Sequence, residues 1–256
     1  IQTFKLRKDL PKELYDLDIL DGSPPCSSFS MAGNREKDWG KEKKFKEGQA
    51  EQVLDNLFFD FIDLAKELQP KVVVAENVKG LLMGEAKAYV RKIYDEFDKA
   101  GYYCQHFLLD ASKMGVPQRR ERVFFICLRK DLAKPFLHWR DMFTEIPKVE
   151  LKFNEPEICF GMIQNNDNRQ LLNDGYLKHF YNADHTGRAK VESGNTFGFF
   201  YKCLKNLVCA TITSGGSYSI EFEPKLINKN ELIEVGTFPK DYDFTSNNPQ
   251  YLIGMS

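Results

Sequence analysis

The chain has 256 residues, 42% of them hydrophobic and 29% charged, with a formal net charge of -1. That length allows one large domain or two smaller ones, and the composition is that of a globular protein. The near-neutral balance excludes a general attraction to nucleic acid, so any such binding has to come from a local basic patch.

In chain order, the first signal is the apolar run "LDIL" (Leu17 to Leu20), read as a strand ending at Asp21-Gly22. It leads into "DGSPPCSSFS", where Cys26 directly follows Pro24 and Pro25. Proline fixes its own backbone and restricts the residue before it. A cysteine in that place is aimed rather than merely packed. The stretch from Ser27 to Gln49 is polar and charged, with Gly33, Gly40 and Gly48, and reads as a long loop. Loops of that length in compact domains are often functional or mobile.

"QVLDNLFFDFIDLAKELQP" sets Leu54, Leu57, Phe58, Phe61, Leu64, Ala65 and Leu68 at helical spacing, with Pro70 at the end. "KVVVAEN" is β-branched and nearly continuous, as a buried strand is. "EAKAYVRKIYDEFDKAGYY" is a second helix, with Tyr89, Ile93 and Phe97 on one face and Gly101 as its stop. "YYCQHFLLD" and "RVFFICL" read as strands. This alternation predicts an α/β fold, with a mainly parallel sheet and helices on both faces. Ligands of such sheets bind beyond the carboxyl ends of the strands. Cys26 and Glu76 are both read as lying just past a strand end.

Between Glu145 and Lys205 the character changes. "NNDNRQ", "NADHTGRAK" and "ESGNTFG" are polar with weak periodicity, which predicts a smaller, loop-rich domain. The six cysteines (Cys26, Cys104, Cys127, Cys159, Cys203 and Cys209) form no CxxC pair and show no metal-ligand rhythm. A reduced intracellular protein without a metal site is expected. No run is long and apolar enough to cross a membrane, and no signal peptide is visible.

Three features carry chemistry, and each has a plain reading beside it. A lone cysteine is more often an inert core residue than a nucleophile. A glutamate at a strand end, here Glu76 after Val72-Val73-Val74, is more often solvated than a general acid. Arg119, Arg120 and Arg122 before a buried strand can be a solvated basic edge or a clamp for an oxyanion or a base oxygen. Strand alternation puts Arg120 and Arg122 on one side.

Taken together, "GSPPCSSFS", "LFFDFIDLAKELQPKVVVAENVKG" and "GVPQRRERVFFI" resemble, in order and spacing, the C5-cytosine-specific DNA methyltransferase family of bacterial or phage restriction–modification systems. The matching motifs are Pro25-Cys26, Glu76-Asn77-Val78 and Gln118-Arg119-Arg120-Glu121-Arg122. A weaker likeness continues in "ATITSGG", "KLINKNELIEVGTFPKDY" and the final "IGMS". The resemblance implies a Rossmann-like S-adenosylmethionine-dependent methyltransferase fold with a smaller target-recognition domain. The expected division is 1–140 catalytic, 141–245 target recognition and hinge, and 246–256 the return to the catalytic domain.

It also implies roles. Cys26 is the nucleophile, Glu76 meets N3 of the cytosine, Arg122 holds its O2, and Arg120 supports the pocket or a phosphate. Pro25, Leu57 and Ser256 match cofactor contacts. Pro24 would line the pocket through a free carbonyl. Ser28, Ser30, Arg35, Asn77 and Gln118 are expected at the DNA. Asn182, His185, Arg188, Asn195, Phe197 and Phe200 are candidates for target recognition, though each is more often a loop or core residue. The implied cofactor is S-adenosyl-L-methionine, with S-adenosyl-L-homocysteine as product. The implied partners are double-stranded DNA and a cognate restriction endonuclease. The implied location is the cytoplasm of a bacterial cell or of a phage-infected host, with no membrane.

Two departures stand out. Nothing before Asp21 offers the family's Gly-rich cofactor turn, and Met255 stands where many members have Asn. The expectation is a piece of a complete enzyme lacking its N-terminal cofactor motif. Alternatives are one subunit of a split methyltransferase, complemented by a second segment, and a non-enzymatic DNA-binding relative. A tRNA cytosine-5 methyltransferase is a further alternative.

Overall fold

The computed structural model describes residues 10–24, 57–84, 86–139, 141–142, 145–193, 196–245 and 248–255. It divides into two compact units: Ile1–Leu109 with Glu121–Leu151, and Asp110–Arg120 with Lys152–Ser256.

The first unit is built on a four-stranded sheet. Its strands are β1 (Ile19–Gly22), β2 (Val72–Val78), β3 (Tyr102–Asp110) and β5 (Glu121–Arg129), in the order β1-β2-β5-β3. A two-residue strand, β4 (Gln118–Arg119), precedes β5 but belongs to the second unit. β1 and β2 pair in parallel, joined through helix α1 (Leu57–Leu68). β5 runs antiparallel to β2, so the sheet is mixed rather than uniformly parallel. The reason lies in the connection. A parallel return needs a crossover of a dozen or more residues, usually a helix. Between β3 and β5 the chain has only a single tight helical turn, Ala111–Lys113, and the short β4.

α1 and helix α2 (Ala86–Lys99) form one core with a single face of this sheet. Alternation along β2 and β5 turns Val73, Ala75, Val123, Phe125 and Cys127 toward that core. Phe58, Phe61, Ile62 and Ala65 of α1 meet Tyr89, Ile93 and Phe97 of α2 there. Phe58 sits edge-on to Phe125 at 5.5 Å between centroids. Each such fully buried aromatic contributes roughly 1.5–3 kcal/mol. α1 stops as Pro70 predicts. Gln69 takes a positive φ of 50°, and its side-chain amide donates to Lys66 O at 2.8 Å, satisfying a carbonyl the helix end would leave open. The unit ends in a hairpin of β6 (Leu137–Trp139) with β7 (Glu145–Pro147).

In the second unit, β4 pairs in parallel with β10 (Cys209–Ala210). A three-stranded sheet joins β8 (Arg188–Ser193), β9 (Thr196–Cys203) and β11 (Ser217–Ile220) in the order β11-β9-β8. Helix α3 (Asp174–Tyr181) packs Phe180 against Ala189 and Phe200. A second cluster gathers Phe160, Ile212, Tyr218, Ile233 and Val235 with Ile253. Those last three come from helices α4 (Lys229–Val235) and α5 (Pro249–Met255). The region read as loop-rich therefore holds a short helical turn at Phe160–Ile163, the helix α3 and a hairpin. On β8, Arg188 and Lys190 are exposed and Ala189 between them is buried, an alternation too short to stand out in the sequence. Among the described residues no helix is long and apolar enough to cross a membrane.

Candidate active site

β1 ends at Gly22, opposite Ala75. A Cβ on Gly22 would lie 2.5 Å from the Phe61 ring, so only glycine lets α1 pack this closely against the strand end. Two residues later Pro24 is buried. Its carbonyl is not free, as the pocket-lining role would need. It accepts a buried hydrogen bond from Asn77 Nδ2 at 3.1 Å. Asn77 is 3% exposed, and its Oδ1 accepts from the Val78 amide at 2.8 Å. Expected at the DNA, Asn77 instead points inward. The alternation that exposes Glu76 on one face of β2 buries its neighbour on the other.

Glu76 lies within the last turn of the ladder rather than beyond it, since β2 runs to Val78. Antiparallel pairing sets Glu76 opposite Phe124 and Val78 opposite Arg122. Glu76 and Arg122 therefore share a face as diagonal neighbours. Arg122 Nε stands 2.8 Å from Glu76 Oε1, with the two side chains 22% and 24% exposed. Arg122 Nη1 donates to Glu121 O at 3.0 Å. Burial lowers the pKa of this guanidinium and Glu76 pulls the other way. An arginine so placed stays charged at physiological pH. Lys79 Nζ reaches both carboxylate oxygens of Glu121, at 2.8 and 2.7 Å. Sequence reading missed this second ion pair. Its signal is the opposed charge order of "ENVK" and "RERV" on strands that prove antiparallel.

The rest of the Gln-x-Arg-x-Arg motif lies in the second unit. Gln118 is 3% exposed. Its Oε1 accepts from Ile212 N at 3.0 Å and its Nε2 donates to Val235 O at 3.1 Å. Placed for DNA contact by the resemblance, Gln118 is an internal strut here, because β4 turns it into the core. Arg120 precedes β5 and is in no strand, so alternation does not relate it to Arg122. Its Nη1 donates to Ile212 O at 3.3 Å.

Leu57 is half-buried at the first residue of α1. Pro25, Cys26, Ser28, Ser30, Arg35 and Ser256 lie outside the described residues. Leu57 is thus the one expected cofactor contact among the described residues, and these residues do not by themselves form a cofactor cradle. Of the target-recognition candidates, Asn182, His185 and Arg188 are exposed beside or on β8, whereas Phe200 is 0% exposed and stacks on Tyr176. Phe200 is a core residue. Phe197 lies in β9, and Asn195 is outside the described residues.

The model of the C-5 cytosine-specific DNA methylase family matches residues 2–256. The chain is 29% identical over 251 residues to the type II methyltransferase M.NgoFVII of Neisseria gonorrhoeae, covering 90% of this chain and 62% of that protein. It is 39% identical over 145 residues to M.NgoMIV of the same organism, covering 56% of this chain and 42% of that protein. The chain thus spans less than two thirds of the length of these relatives. A DNMT2 variant from Spodoptera frugiperda matches the fold with a TM-score of 0.58 at 18% identity, over 93% of this chain and 75% of that one. The α/β architecture is that of the methyltransferases, and the chain belongs to the C-5 cytosine-specific DNA methylase family.

Proposed function

We propose that the chain carries the catalytic and target-recognition residues of a DNA cytosine-5 methyltransferase of the restriction–modification type. The observation that supports this most directly is the Arg122–Glu76 pair, set where the end of β2 lies beside the beginning of β5. It presents a carboxyl and a guanidinium together, as recognition of the N3 and O2 edge of cytosine requires.

Cytosine C5 is too weak a nucleophile to attack a methyl sulfonium. A thiolate adding to C6 forms a C–S bond and pushes the electron pair toward C5. Cys26 supplies the thiolate. Glu76, as the carboxylic acid, donates its proton to N3 and so neutralises the charge that addition builds there, taking the proton back when the thiolate leaves, and Arg122 holds O2. Arg120 supports the pocket or a phosphate. S-adenosyl-L-methionine, when bound, would supply the methyl group, with S-adenosyl-L-homocysteine as the product. A base then removes the C5 proton, the C–S bond breaks, and the thiolate is released. The target carbon lies inside the base stack, so the nucleotide has to be flipped out.

The test is transfer of labelled methyl from S-adenosylmethionine to duplex DNA and, in parallel, to tRNA, with Cys26→Ser as control. Cysteine-dependent incorporation into DNA is expected. Incorporation into tRNA alone would move the substrate to RNA. Salt-sensitive DNA binding with no incorporation and no cofactor affinity would leave a non-catalytic DNA-binding protein.

A further inference from the structure

The Asn77–Pro24 hydrogen bond has the geometry of a continued β-ladder made by a side chain. The parallel register of β1 and β2 runs from Ile19↔Val72 to Gly22↔Ala75 and stops. Carried two residues further, it would set Pro24 beside Asn77. Proline has no N–H, so the backbone ladder cannot continue there. The carboxamide of Asn77 takes its place. Val78 N holds Oδ1 at 2.8 Å, which turns Nδ2 toward the Pro24 carbonyl, and Nδ2 donates to it at 3.1 Å in a buried setting.

We propose that Asn77 is a positioning residue for the nucleophile: its side chain pins Pro24 and thereby fixes the point from which the chain delivers Cys26. The inference rests on the proposed function, in which Cys26 attacks the base. Only Pro25 separates the pinned residue from the cysteine. Pro24, as a residue before proline, is confined to extended backbone, and Pro25 has a fixed φ. With Pro24 anchored, few torsions remain between the sheet and the sulfur.

The chemistry of the site selects asparagine. Aspartate could accept from Val78 N but would face the Pro24 carbonyl with a second acceptor. Serine is too short to reach. Glutamine would place its amide one carbon too far. Asn77 therefore acts on the reaction through Pro24 and touches no substrate atom.

The test uses the protein as its host makes it, with Asn77→Asp and Asn77→Ser variants. Duplex DNA carrying 5-fluorocytosine at the target traps the Cys26 adduct. The single-turnover rate of adduct formation is measured beside the equilibrium affinity for unmodified duplex. We expect adduct formation to slow by about 10- to 100-fold, the scale of a displacement near 1 Å at the reacting centre. DNA affinity should change by less than about 3-fold, which is under 1 kcal/mol. A variant that weakens DNA binding but reacts at the normal rate once saturated would make Asn77 a DNA contact and overturn the proposal. So would a normal adduct rate in both variants. Failure of both variants to fold in the cold would make Asn77 a folding element, and the proposal would also fall. Wild-type protein that forms no adduct at all would reject the proposed function itself, and that outcome is separate from the others.

Discussion

Arg122 Nε stands 2.8 Å from Glu76 Oε1, although the two residues come from motifs that the whole of α2 and β3 separates. The pairing exists because β5 runs antiparallel to β2, which lays the beginning of one strand beside the end of the other. A glutamate alone at a strand end can rotate. The planar guanidinium, held also by Glu121 O, fixes the plane of the carboxyl.

Lysine at position 122 would keep the charge and lose the Nε donor and its directionality. Arg122→Lys should slow methyl transfer by about 10- to 100-fold while costing roughly 1 kcal/mol of stability. Arg122→Leu strands a largely buried carboxylate and should cost about 2 kcal/mol. Adding Glu76→Gln to that variant should recover part of the loss. Urea denaturation of the double-mutant cycle checks the coupling. Additive losses would mean that the ion pair does not hold Glu76 in place.

How much of this could be read beforehand differs from residue to residue. The apolar stripes of α1 and α2 and the run Val72-Val73-Val74 are local patterns, and each became the expected element. The antiparallel entry of β5 was not legible, because strand direction depends on pairing and no local residue encodes it. Asn77 shows the same limit. The resemblance put it at the DNA, but the side of β2 it occupies follows from the register with β1 and β5. Gln118 could not be placed either, since its partners Ile212 and Val235 lie about a hundred residues away. The β8–β9 hairpin was hidden because the exposed Arg188 and Lys190 of β8 read as part of a polar loop.

Glu231 is 0% exposed and lies at the start of α4. Its Oε1 is 2.6 Å from Arg169 Nη2 and accepts from Asn165 N at 3.1 Å, while Oε2 accepts from Asn228 N at 2.9 Å. The same residue thus completes a capping box and binds segment 165–169 to the helix. Removing one partner of a buried, fully bonded ion pair leaves the other uncompensated. Glu231→Ala should cost about 3–5 kcal/mol. Asn228→Ala, which removes the cap and the 2.6 Å hydrogen bond from Asn228 Nδ2 to Asn165 Oδ1 but keeps the ion pair, should cost about 1–2 kcal/mol. Chemical denaturation followed by circular dichroism reads both. Equal losses would argue that the cap, not the ion pair, carries the stability.

His106 Nδ1 lies 2.7 Å from the Tyr94 hydroxyl. Burial lowers the pKa of His106 from 6.5. Burial also raises that of Tyr94, which keeps its proton within this hydrogen bond. The neutral ring is therefore favoured in the folded state. Below pH 6.5 the unfolded chain takes up a proton that the folded protein resists, so stability falls with pH from there down to the folded pKa and then levels. His106→Gln should flatten this part of the profile. Urea midpoints measured across the same range test it, and an unchanged slope in the variant would assign the effect to another group.

Gly187 has a φ of +77°, and a Cβ built on it would lie 2.0 Å from Lys202 O. The hydrogen bond from Lys202 N to Gly187 O, at 2.6 Å, sits in the same place. An alanine would have both to enter the left-handed region, at about 1–2 kcal/mol, and to part the chain from β9, at about 1 kcal/mol more. Gly187→Ala should therefore destabilise the second unit by roughly 2–3 kcal/mol. The loop it closes is otherwise held by Asp184, whose Oδ1 accepts from the Thr186 hydroxyl at 2.6 Å and from Arg188 N at 3.1 Å. Those bonds, the hydroxyl first, pull its carboxyl below the usual range. This loop displays His185 and leads into Arg188, two target-recognition candidates. If the loop meets DNA, the variant will bind cognate duplex more weakly but form the Cys26 adduct at the normal rate once saturated. Unchanged affinity, with only the melting temperature lowered, would remove His185 and Arg188 from the recognition surface.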